Sequence, residues 1–281
     1  MDTKVDGRVG ARSVFSKEEC VGMARPEGFV NLILFVVFVA LSSAGECQVN
    51  IEKYRGEEQT RGVHGNLELD VSWRTGNVDV FELGGASSIF VSGEQVTALF
   101  LGSGELGWES GSRFSNAALG HARLAFQVSD RVLPEVFVQG DYDRARLLTG
   151  RGLVGGGLRL GVVVVEQAQV WWGTALMLEY ESLDLPVGAI HKAESTVVRW
   201  SNYLSAKVLF HPQVALDWVV YVQPQIRHFE DFRVLNDWSL SVKANGLIAL
   251  VTTIKARYDR RPPDDIKRLD AKWRTGVRVS F

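Results

Sequence analysis

The chain has 281 residues, with 31 Lys and Arg against 33 Asp and Glu, and 46% of its residues are hydrophobic. Ordinary apolar content and a formal net charge of −2 exclude an intrinsically disordered polyelectrolyte. The balanced charge, without a long basic segment, also argues against a nucleic-acid partner, and two cysteines cannot form a disulfide scaffold.

The first element is an apolar run, FVNLILFVVFVAL, at residues 29–41. It is too short for a membrane-spanning helix of about 20 residues, but it suits the core of a signal peptide. Arg25 precedes the run, and Ser42-Ser43-Ala44 supplies the small residues of a cleavage site. The pattern predicts a signal peptide over residues 1–44. Met23 is a more plausible start than Met1, because the residues before it are polar and of mixed charge.

After cleavage we expect a short periplasmic lead over residues 45–62 and a folded domain over residues 63–281. The alternative of a lipoprotein anchored at Cys47 is disfavoured, since Glu46 stands where a small residue is needed. A buried core helix is disfavoured because nothing amphipathic surrounds the apolar run. Cys47 would remain without a partner, so the mature protein is expected to be free of disulfides.

From about Val63 onward, apolar and polar residues alternate, which is the period of a β-strand with one apolar face. In the C-terminal stretch, for example, Val277 and Val279 alternate with Arg278 and Ser280. The alternation predicts twelve strands; ten is the alternative count, because the second and third segments have mixed faces. The predicted strands cover residues 64–75, 77–91, 95–108, 114–129, 134–143, 150–165, 168–183, 194–210, 213–228, 231–244, 246–259 and 268–281.

These strands are longer than the about 5 to 6 residues typical of soluble sheets, and they suit the about 9–11 residues of a tilted transmembrane strand. Tight turns at 92–94, 165–167, 211–213 and 245–246 alternate with longer, more charged connections. An even strand number with this asymmetry is typical of outer-membrane barrels. The sequence therefore predicts an all-β fold, an antiparallel transmembrane β-barrel. A soluble periplasmic lectin-like sheet is the alternative.

Aromatic residues are expected to form two girdles at the water–lipid boundaries. With both termini on the periplasmic side, eight fall toward the outer strand ends and five toward the inner ends. The outer set is Trp73, Trp108, Tyr142, Tyr180, Trp200, Trp238, Tyr258 and Trp273, and the inner set is Trp171, Trp172, Phe210, Trp218 and Phe281.

The inward face is predicted to carry many charges, especially basic ones on the later strands. Basic side chains around a pore favour anions, but opposite charges that pair across the lumen would plug it, and a barrel of about twelve strands lies between filled and open cases. Both readings stay open. The basic candidates are Arg199, Lys207, Lys243, Lys255, Arg257, Lys272, Arg274 and Arg278, and the acidic ones are Glu68, Asp70, Asp217 and Asp237.

A protease site of the omptin type is a further alternative. Asp141 and Asp143 lie near the outer end of one strand, and His228 and Asp231 flank a later loop, where two such pairs could activate water. Solvated loop side chains explain the same residues more simply, so no catalytic residues are assigned. The five histidines show no metal-ligand spacing, and neither a metal nor a cofactor is expected.

Short motifs are distributed along the predicted mature chain. They are Trp73-Arg74-Thr75-Gly76-Asn77, Arg151-Gly152-Leu153-Val154-Gly155-Gly156-Gly157-Leu158-Arg159, Tyr221-Val222-Gln223-Pro224, Asp231-Phe232-Arg233, Arg257-Tyr258-Asp259 with Pro262-Pro263, Asp270, and Thr275-Gly276-Val277 before the final Phe281. With these motifs the chain resembles the YdiY-like, salt-induced outer membrane proteins, a family defined by a domain of unknown function.

The resemblance implies an outer-membrane barrel and carries over no catalytic residue. Phe281 is similar to the last aromatic residue that outer-membrane barrels present to their assembly machinery, which is thus an implied partner. Arg260 stands where a small residue is expected in that family, so loop chemistry does not transfer.

We expect a non-enzymatic protein of the bacterial outer membrane, in contact with its lipids and lipopolysaccharide. The leading function is a small passive channel for ions or solutes, or an envelope-integrity protein. A plugged structural barrel and a rim protease are the alternatives.

Overall fold

The computed structural model describes residues 61–76 and 79–281, except for the side chain of Arg74. The strands are β1 (Gly62–Arg74), β2 (Val80–Ser92), β3 (Val96–Glu109), β4 (Ser112–Phe126), β5 (Val132–Asp143), β6 (Leu148–Val164), β7 (Ala168–Leu183), β8 (Glu194–His211), β9 (Val214–Gln225), β10 (His228–Lys243), β11 (Ile248–Asp259) and β12 (Leu269–Ser280). Each strand pairs antiparallel with its sequence neighbours, and β1 with β12, in one closed barrel. This confirms the predicted fold class and twelve strands. The predicted signal peptide and nearly all of the predicted lead lie outside the described residues.

Every predicted strand is present, and its ends differ from the prediction by at most a few residues. The turn between β9 and β10 is displaced, lying at 226–227 instead of 229–230. The pairing register shifts between His228 and Phe232, so the period-2 pattern is interrupted there. Three residues of β10, 229–231, are extra relative to β9, and the predicted loop at 229–230 falls within them.

The barrel has two unlike ends. One end, called here the terminal end, holds Gly62 and Ser280 at the start of β1 and the finish of β12. The opposite end, the loop end, carries the two longest connections, residues 184–193 and 260–268, and the backbone N–H of His191 in the first donates to Asp264 in the second at 2.8 Å. Within the described ranges the only helical element is the 3-10 turn Arg144–Arg146, and no helix there is long and apolar enough to span a bilayer.

The two faces of the barrel wall differ in polarity, as the alternation predicts. Each strand exposes large apolar side chains outward, and the intervening positions point into the lumen. One outward residue from each strand, all at least 41% exposed, illustrates the belt: Leu67, Ile89, Phe100, Leu124, Val138, Val154, Leu176, Val198, Val222, Leu240, Leu250 and Val277.

The contact between the first and last strands, called here the seam, is much shorter than the other ladders. It spans five residue pairs, from Asn66 with Ser280 to Asp70 with Gly276, whereas β1 and β2 pair over their full length. At its base, Gly65 and Phe281 exchange two backbone hydrogen bonds of 2.7 and 2.9 Å. The barrel is therefore closed toward the terminal end, and β1 and β12 separate toward the loop end.

Candidate functional site

The terminal half of the lumen is filled by inward-facing side chains. Phe90 on β2 and Val219 and Tyr221 on β9 have no exposed surface. Because water reaches the walls of an open pore, fully buried inward side chains indicate a packed lumen at this level. The inward apolar side chains form two clusters: Phe90 with Leu99 and Leu101, and Tyr203 with Val219, Tyr221 and Leu235.

Gly173 on β7 is required by this packing. A Cβ at this position would overlap the ring of Tyr203, which itself packs against Tyr221 with ring centroids 5.0 Å apart. The glycine therefore leaves the room that the tyrosine ring occupies.

Charged side chains in the same half include two ion pairs. Arg123 donates to Glu135 at 2.6 Å and lies 4.9 Å from the ring centroid of Phe137. Lys207 and Asp217 form an ion pair at 3.4 Å. Buried charges of this kind are tolerated because each has an opposite charge or an aromatic face beside it.

The loop-end half contains a continuous series of ion pairs, which we call the ion chain. Arg233 is its centre, and donates to Glu179 at 2.8 Å, to Glu181 at 3.0 Å and to Asp259 at 2.8 Å. Since Arg233 lies on β10 and both glutamates on β7, the series ties together strands that are not neighbours in the sheet. Its members in order are Asp141, Arg151, Glu181, Arg233, Glu179, Arg199 and Asp231.

The rest of the loop-end half is an open vestibule. Two adjoining cavities of about 630 and about 150 Å³ share Glu105, Lys255 and Lys272 among their walls. The ion chain borders the larger cavity through Arg151, Glu181 and Arg233, and the smaller one is lined by the apolar side chains of Leu101, Leu119 and Val251. Leu101 also belongs to the buried cluster of the terminal half, together with Phe90 and Leu99. The vestibule is therefore closed at its base by packed side chains.

Four basic side chains of β11 and β12, called here the basic group, line one wall of the smaller cavity: Lys255, Arg257, Lys272 and Arg274. Lys255 and Lys272 are direct partners across the two strands, which places two ammonium groups side by side. One carboxylate, Glu105 of β3, binds both Lys272 and Arg274 from across the lumen, and Arg274 also reaches Asp70 at 3.3 Å. Glu105 and Asp70 thus neutralise part of the charge of this wall, and Glu68, Asp141 and Asp143 also line the cavity.

The predicted lumen residues lie on the inward face. Of the basic candidates, Arg199 belongs to the ion chain, Lys207 pairs with Asp217, and Arg278 pairs with Glu68 at 2.5 Å. Asp237 is buried at the position opposite Lys255 on β11. Lys243 is exposed at the terminal rim. The remaining candidates are Lys255, Arg257, Lys272 and Arg274, which form the basic group, and Asp70, which accepts from Arg274.

Part of the aromatic prediction is wrong. Trp171 points into the barrel, is buried, and lies under the Arg159 guanidinium at 3.9 Å from its ring centroid. Trp218 and Trp238, assigned to opposite girdles, are direct cross-strand partners whose rings stack at 5.4 Å. Both therefore lie at one height of the wall.

The other predicted girdle residues face outward, and those at the loop end lie near the ends of their strands. Trp73, Tyr180, Trp200 and Trp273 are exposed there, and Trp172 is exposed toward the terminal end. Trp108 and Tyr258 are half-buried against outward neighbours, Phe81 and Phe232. Their location at a membrane boundary stays a prediction.

The four residues of the protease alternative are not arranged as water-activating pairs. Asp141 binds Arg151 at 3.4 Å and Asp143 binds Arg146 at 2.7 Å, while Asp231 binds Arg199 at 3.1 Å. Asp141 and Asp231 stand at the two ends of the ion chain, with five ion-paired side chains between them. Each acid thus neutralises an arginine, and in the described part of the chain no three His, Cys, Asp or Glu residues are grouped to hold a metal.

The sequence reasoning missed the centre of the ion chain. Arg151, Arg233, Glu179 and Glu181 were inside predicted strands but were not chosen as lumen residues. The signal was present, because Glu179 and Glu181 are two residues apart and must share one face of β7. Two acids on one inward face require cations opposite them.

A family model described as a protein of unknown function, DUF481, matches residues 52–281. No curated protein matches the sequence.

Several solved barrels are similar in fold. The translocator domain of the autotransporter NalP from Neisseria meningitidis is 11% identical with a TM-score of 0.46, covering 91% of this chain and 97% of that one. An outer membrane channel from Pseudomonas putida F1 is 11% identical with a TM-score of 0.49, covering 84% and 99%. The KdgM porin is 10% identical with a TM-score of 0.41, covering 78% and 99%.

Proposed function

The chain belongs to the DUF481 family of proteins of unknown function, and we propose that it is an outer-membrane β-barrel whose role does not depend on an open pore. The membrane location is supported by the outward apolar belt, to which all twelve strands contribute. A monomeric soluble protein rarely exposes a contiguous apolar patch larger than a few hundred Å². A closed barrel satisfies its backbone polar groups within the sheet, as a bilayer requires.

The packed terminal half of the lumen supports the second part of the proposal, that the role does not depend on an open pore. Phe90, Val219 and Tyr221 are fully buried inside the wall, and the vestibule ends on the apolar cluster that contains Leu101. A hydrated ion cannot pass through side chains packed to the density of a protein core. Of the functions expected from the sequence, an envelope-integrity role in a plugged barrel fits this geometry better than passive conduction. Five of the basic residues expected to select anions are instead ion-paired with carboxylates: Arg199, Lys207, Lys272, Arg274 and Arg278.

Planar-bilayer recording tests the closed lumen. Purified, heat-modifiable barrel inserted from detergent should give no steady current steps above the bare bilayer in molar KCl. A double variant, Phe90→Ala with Tyr221→Ala, removes two inward rings and should raise the frequency of conducting events. Regular ohmic current steps from the wild-type protein would contradict the closed lumen and support the passive-channel function instead.

The membrane location has its own test. The barrel should remain with the membrane fraction after washing with urea or carbonate and require detergent for extraction. Cells that lack the protein should be more sensitive to detergents than wild-type cells. Expression of the wild-type gene should return their sensitivity to the normal level. Recovery of the folded protein as a monomer in buffer without detergent would contradict the location.

A non-enzymatic role is part of the proposal. A basic peptide incubated with the barrel in detergent containing lipopolysaccharide should remain intact, because Asp141 and Asp231 are both held by arginines. Cleavage that disappears in Asp141→Asn would instead support the rim protease. The finer resemblance to salt-induced YdiY-like proteins concerns regulation and stays a prediction.

A further inference from the structure

The loop between β11 and β12, residues 260–268, is a feature that the proposed function does not use. Six of its nine residues line the larger cavity of the vestibule: Pro262, Pro263, Asp265, Ile266, Lys267 and Arg268. The same cavity is walled by Phe114 of β4 and Leu183 of β7, and these strands lie four places around the barrel from β12 and from β11. A loop that rose straight from the rim into solvent would not face them across one cavity. Residues 260–268 therefore lean over the mouth of the vestibule.

A second loop holds the tip of this segment. The backbone N–H of His191, in the loop between β7 and β8, donates to the Asp264 carboxylate at 2.8 Å. Between these two loops the rim carries only the short turn at 226–227, which joins β9 to β10. Residues 260–268 thus bridge a part of the rim that has no long loop of its own.

The local sequence makes the tip stiff. Pro262 and Pro263 have a fixed φ, and the N–H of Ile266 donates to the Pro263 carbonyl at 3.1 Å. Asp265 has a φ of 65°, a left-handed conformation that aspartate adopts more readily than most residues, so the chain reverses within the tip. The segment is therefore a compact hairpin end that can move as one body about its base.

Asp259 fixes the base of the segment and couples it to the ion chain. Its Oδ2 atom accepts from Nε of Arg233 at 2.8 Å, and its Oδ1 atom accepts from the backbone N–H of Arg261 at 2.9 Å. The N–H of Asp259 also donates to the carbonyl of Arg268 at 2.9 Å, across the base. Since Arg233 is the centre of the ion chain, the end of β11 is held to the barrel wall at this residue. The hinge of the segment therefore lies just beyond Asp259.

The contacts that hold the segment beyond its base lie close to water. Arg261 pairs with Glu230, but these side chains are 52% and 69% exposed, and water screens both charges. Pro262, Pro263 and Ile266 are only half-buried. A segment with little buried apolar surface separates from the rest of a protein at low free-energy cost. The hydrogen bond between the two loops is therefore the contact whose loss should release the tip.

We propose that residues 260–268 are a lid that opens and closes the vestibule, with the hydrogen bond from His191 to Asp264 as its latch. With the latch formed, bulky solutes reach the ion chain and the basic group slowly, whereas small solutes pass beside the lid. When the latch breaks, the stiff tip swings away about its base. The inference goes beyond the proposed function and depends neither on the membrane location nor on the closed lumen, because it concerns the loop end alone.

A cysteine inside the vestibule reports on the lid. With Cys20 and Cys47 replaced by Ser, Ala117→Cys places a thiol on β4 in the wall of the smaller cavity. Its reaction rate is measured on the folded barrel in detergent with two reagents of the same chemistry, the small N-ethylmaleimide and a bulky rhodamine maleimide. A second reporter, Gln95→Cys, places an exposed thiol in a turn at the terminal end, and it gives the rate of each reagent away from the lid.

The expected result is a change in the rate of the bulky reagent at residue 117, relative to its rate at residue 95. Asp264→Ala should raise this ratio about 3- to 10-fold, because one hydrogen bond is lost. Asp264→Asn keeps an acceptor oxygen and should stay near the wild-type ratio. The matched control, Asp265→Asn, removes the neighbouring charge but not the latch and should have no effect.

Removal of the lid sets the upper limit of the ratio. Replacement of residues 261–267 by Gly-Asn-Gly leaves a short turn between β11 and β12, and the bulky reagent should then react fastest. N-ethylmaleimide should react at nearly the same rate with every variant, since it passes beside the closed lid.

Spin labels measure the position of the lid directly. Val187→Cys and Lys267→Cys place exposed labels on the two loops, in barrels without the reporter cysteines. The distribution of distances between the labels should be narrow in the otherwise wild-type protein and in Asp264→Asn. It should broaden toward longer distances in Asp264→Ala.

Three results would overturn the inference. A bulky reagent that reacts as fast with the wild-type lid as with the lid removed would mean that the mouth is not covered. Equal acceleration by Asp264→Ala and Asp265→Asn would mean that loop charge, not the latch, controls entry. An unchanged rate and an unchanged distance in Asp264→Ala would mean a rigid roof. Heat-modifiability establishes that each variant is folded, and current steps from the wild-type barrel would contradict the closed lumen without touching the lid.

Discussion

Replacing Arg233 with methionine tests whether the ion chain holds the loop-end half of the barrel together. Arg233 donates to three carboxylates, and the side chains of Glu179 and Glu181 are only 1% and 4% exposed. Methionine keeps much of the apolar stem and removes the charge. Removal of one partner from a buried ion pair costs about 3–5 kcal/mol, because the remaining charge is left uncompensated.

The matched control is Arg261→Met. Arg261 also pairs with a glutamate, Glu230, at 2.5 Å, but these side chains are 52% and 69% exposed. Exposed pairs are worth about 0–1 kcal/mol, since water screens both charges. The two variants thus remove the same group from two ion pairs that differ in burial.

Equilibrium unfolding by guanidinium, followed by tryptophan fluorescence in lipid vesicles, measures both free energies of unfolding. We expect Arg233→Met to lose at least about 2 kcal/mol more than Arg261→Met. The double variant Arg233→Met with Glu181→Gln should recover part of the loss, because one uncompensated carboxylate is gone. Equal destabilisation by the two single variants would refute the view that the ion chain is a buried structural element.

Three further outcomes follow from the geometry. Gly173→Ala should lower the free energy of unfolding by about 1–3 kcal/mol, because its methyl group overlaps a buried ring, whereas Gly152→Ala, with open space around it, should be nearly neutral by the same measurement. Deletion of Phe281 should reduce the amount of heat-modifiable barrel recovered from membranes, since two backbone hydrogen bonds at the base of the seam are lost. The hydrogen bonds from the Thr75 hydroxyl and the Gly76 N–H lower the pKa of Asp79, so their stabilisation is present above the ordinary pKa and is lost as the pH falls through the lowered one. Thr75→Val should return that pKa toward its ordinary value in a carboxyl NMR titration, and an unchanged titration would contradict the assignment.

The aromatic residues show how far local reasoning reaches. Trp171 and Trp172 are adjacent in one strand, so period 2 already requires them to face opposite sides of the wall. Assigning both to one girdle was avoidable from the sequence. Trp218 and Trp238 are different, because their common height depends on the register between β9 and β10, which the turn at 226–227 and the register shift between His228 and Phe232 set together.

By itself the sequence determined the strand count, the antiparallel order and the face on which most side chains lie. These follow from a period-2 pattern and short turns, which act between residues close in the chain. Only the tertiary structure decided that Arg233 reaches Glu179, that Glu105 reaches Lys272, and that β1 and β12 separate beyond Asp70. Such contacts join residues 54 and 167 positions apart, and they depend on the stagger and curvature of the closed wall, which no local pattern encodes.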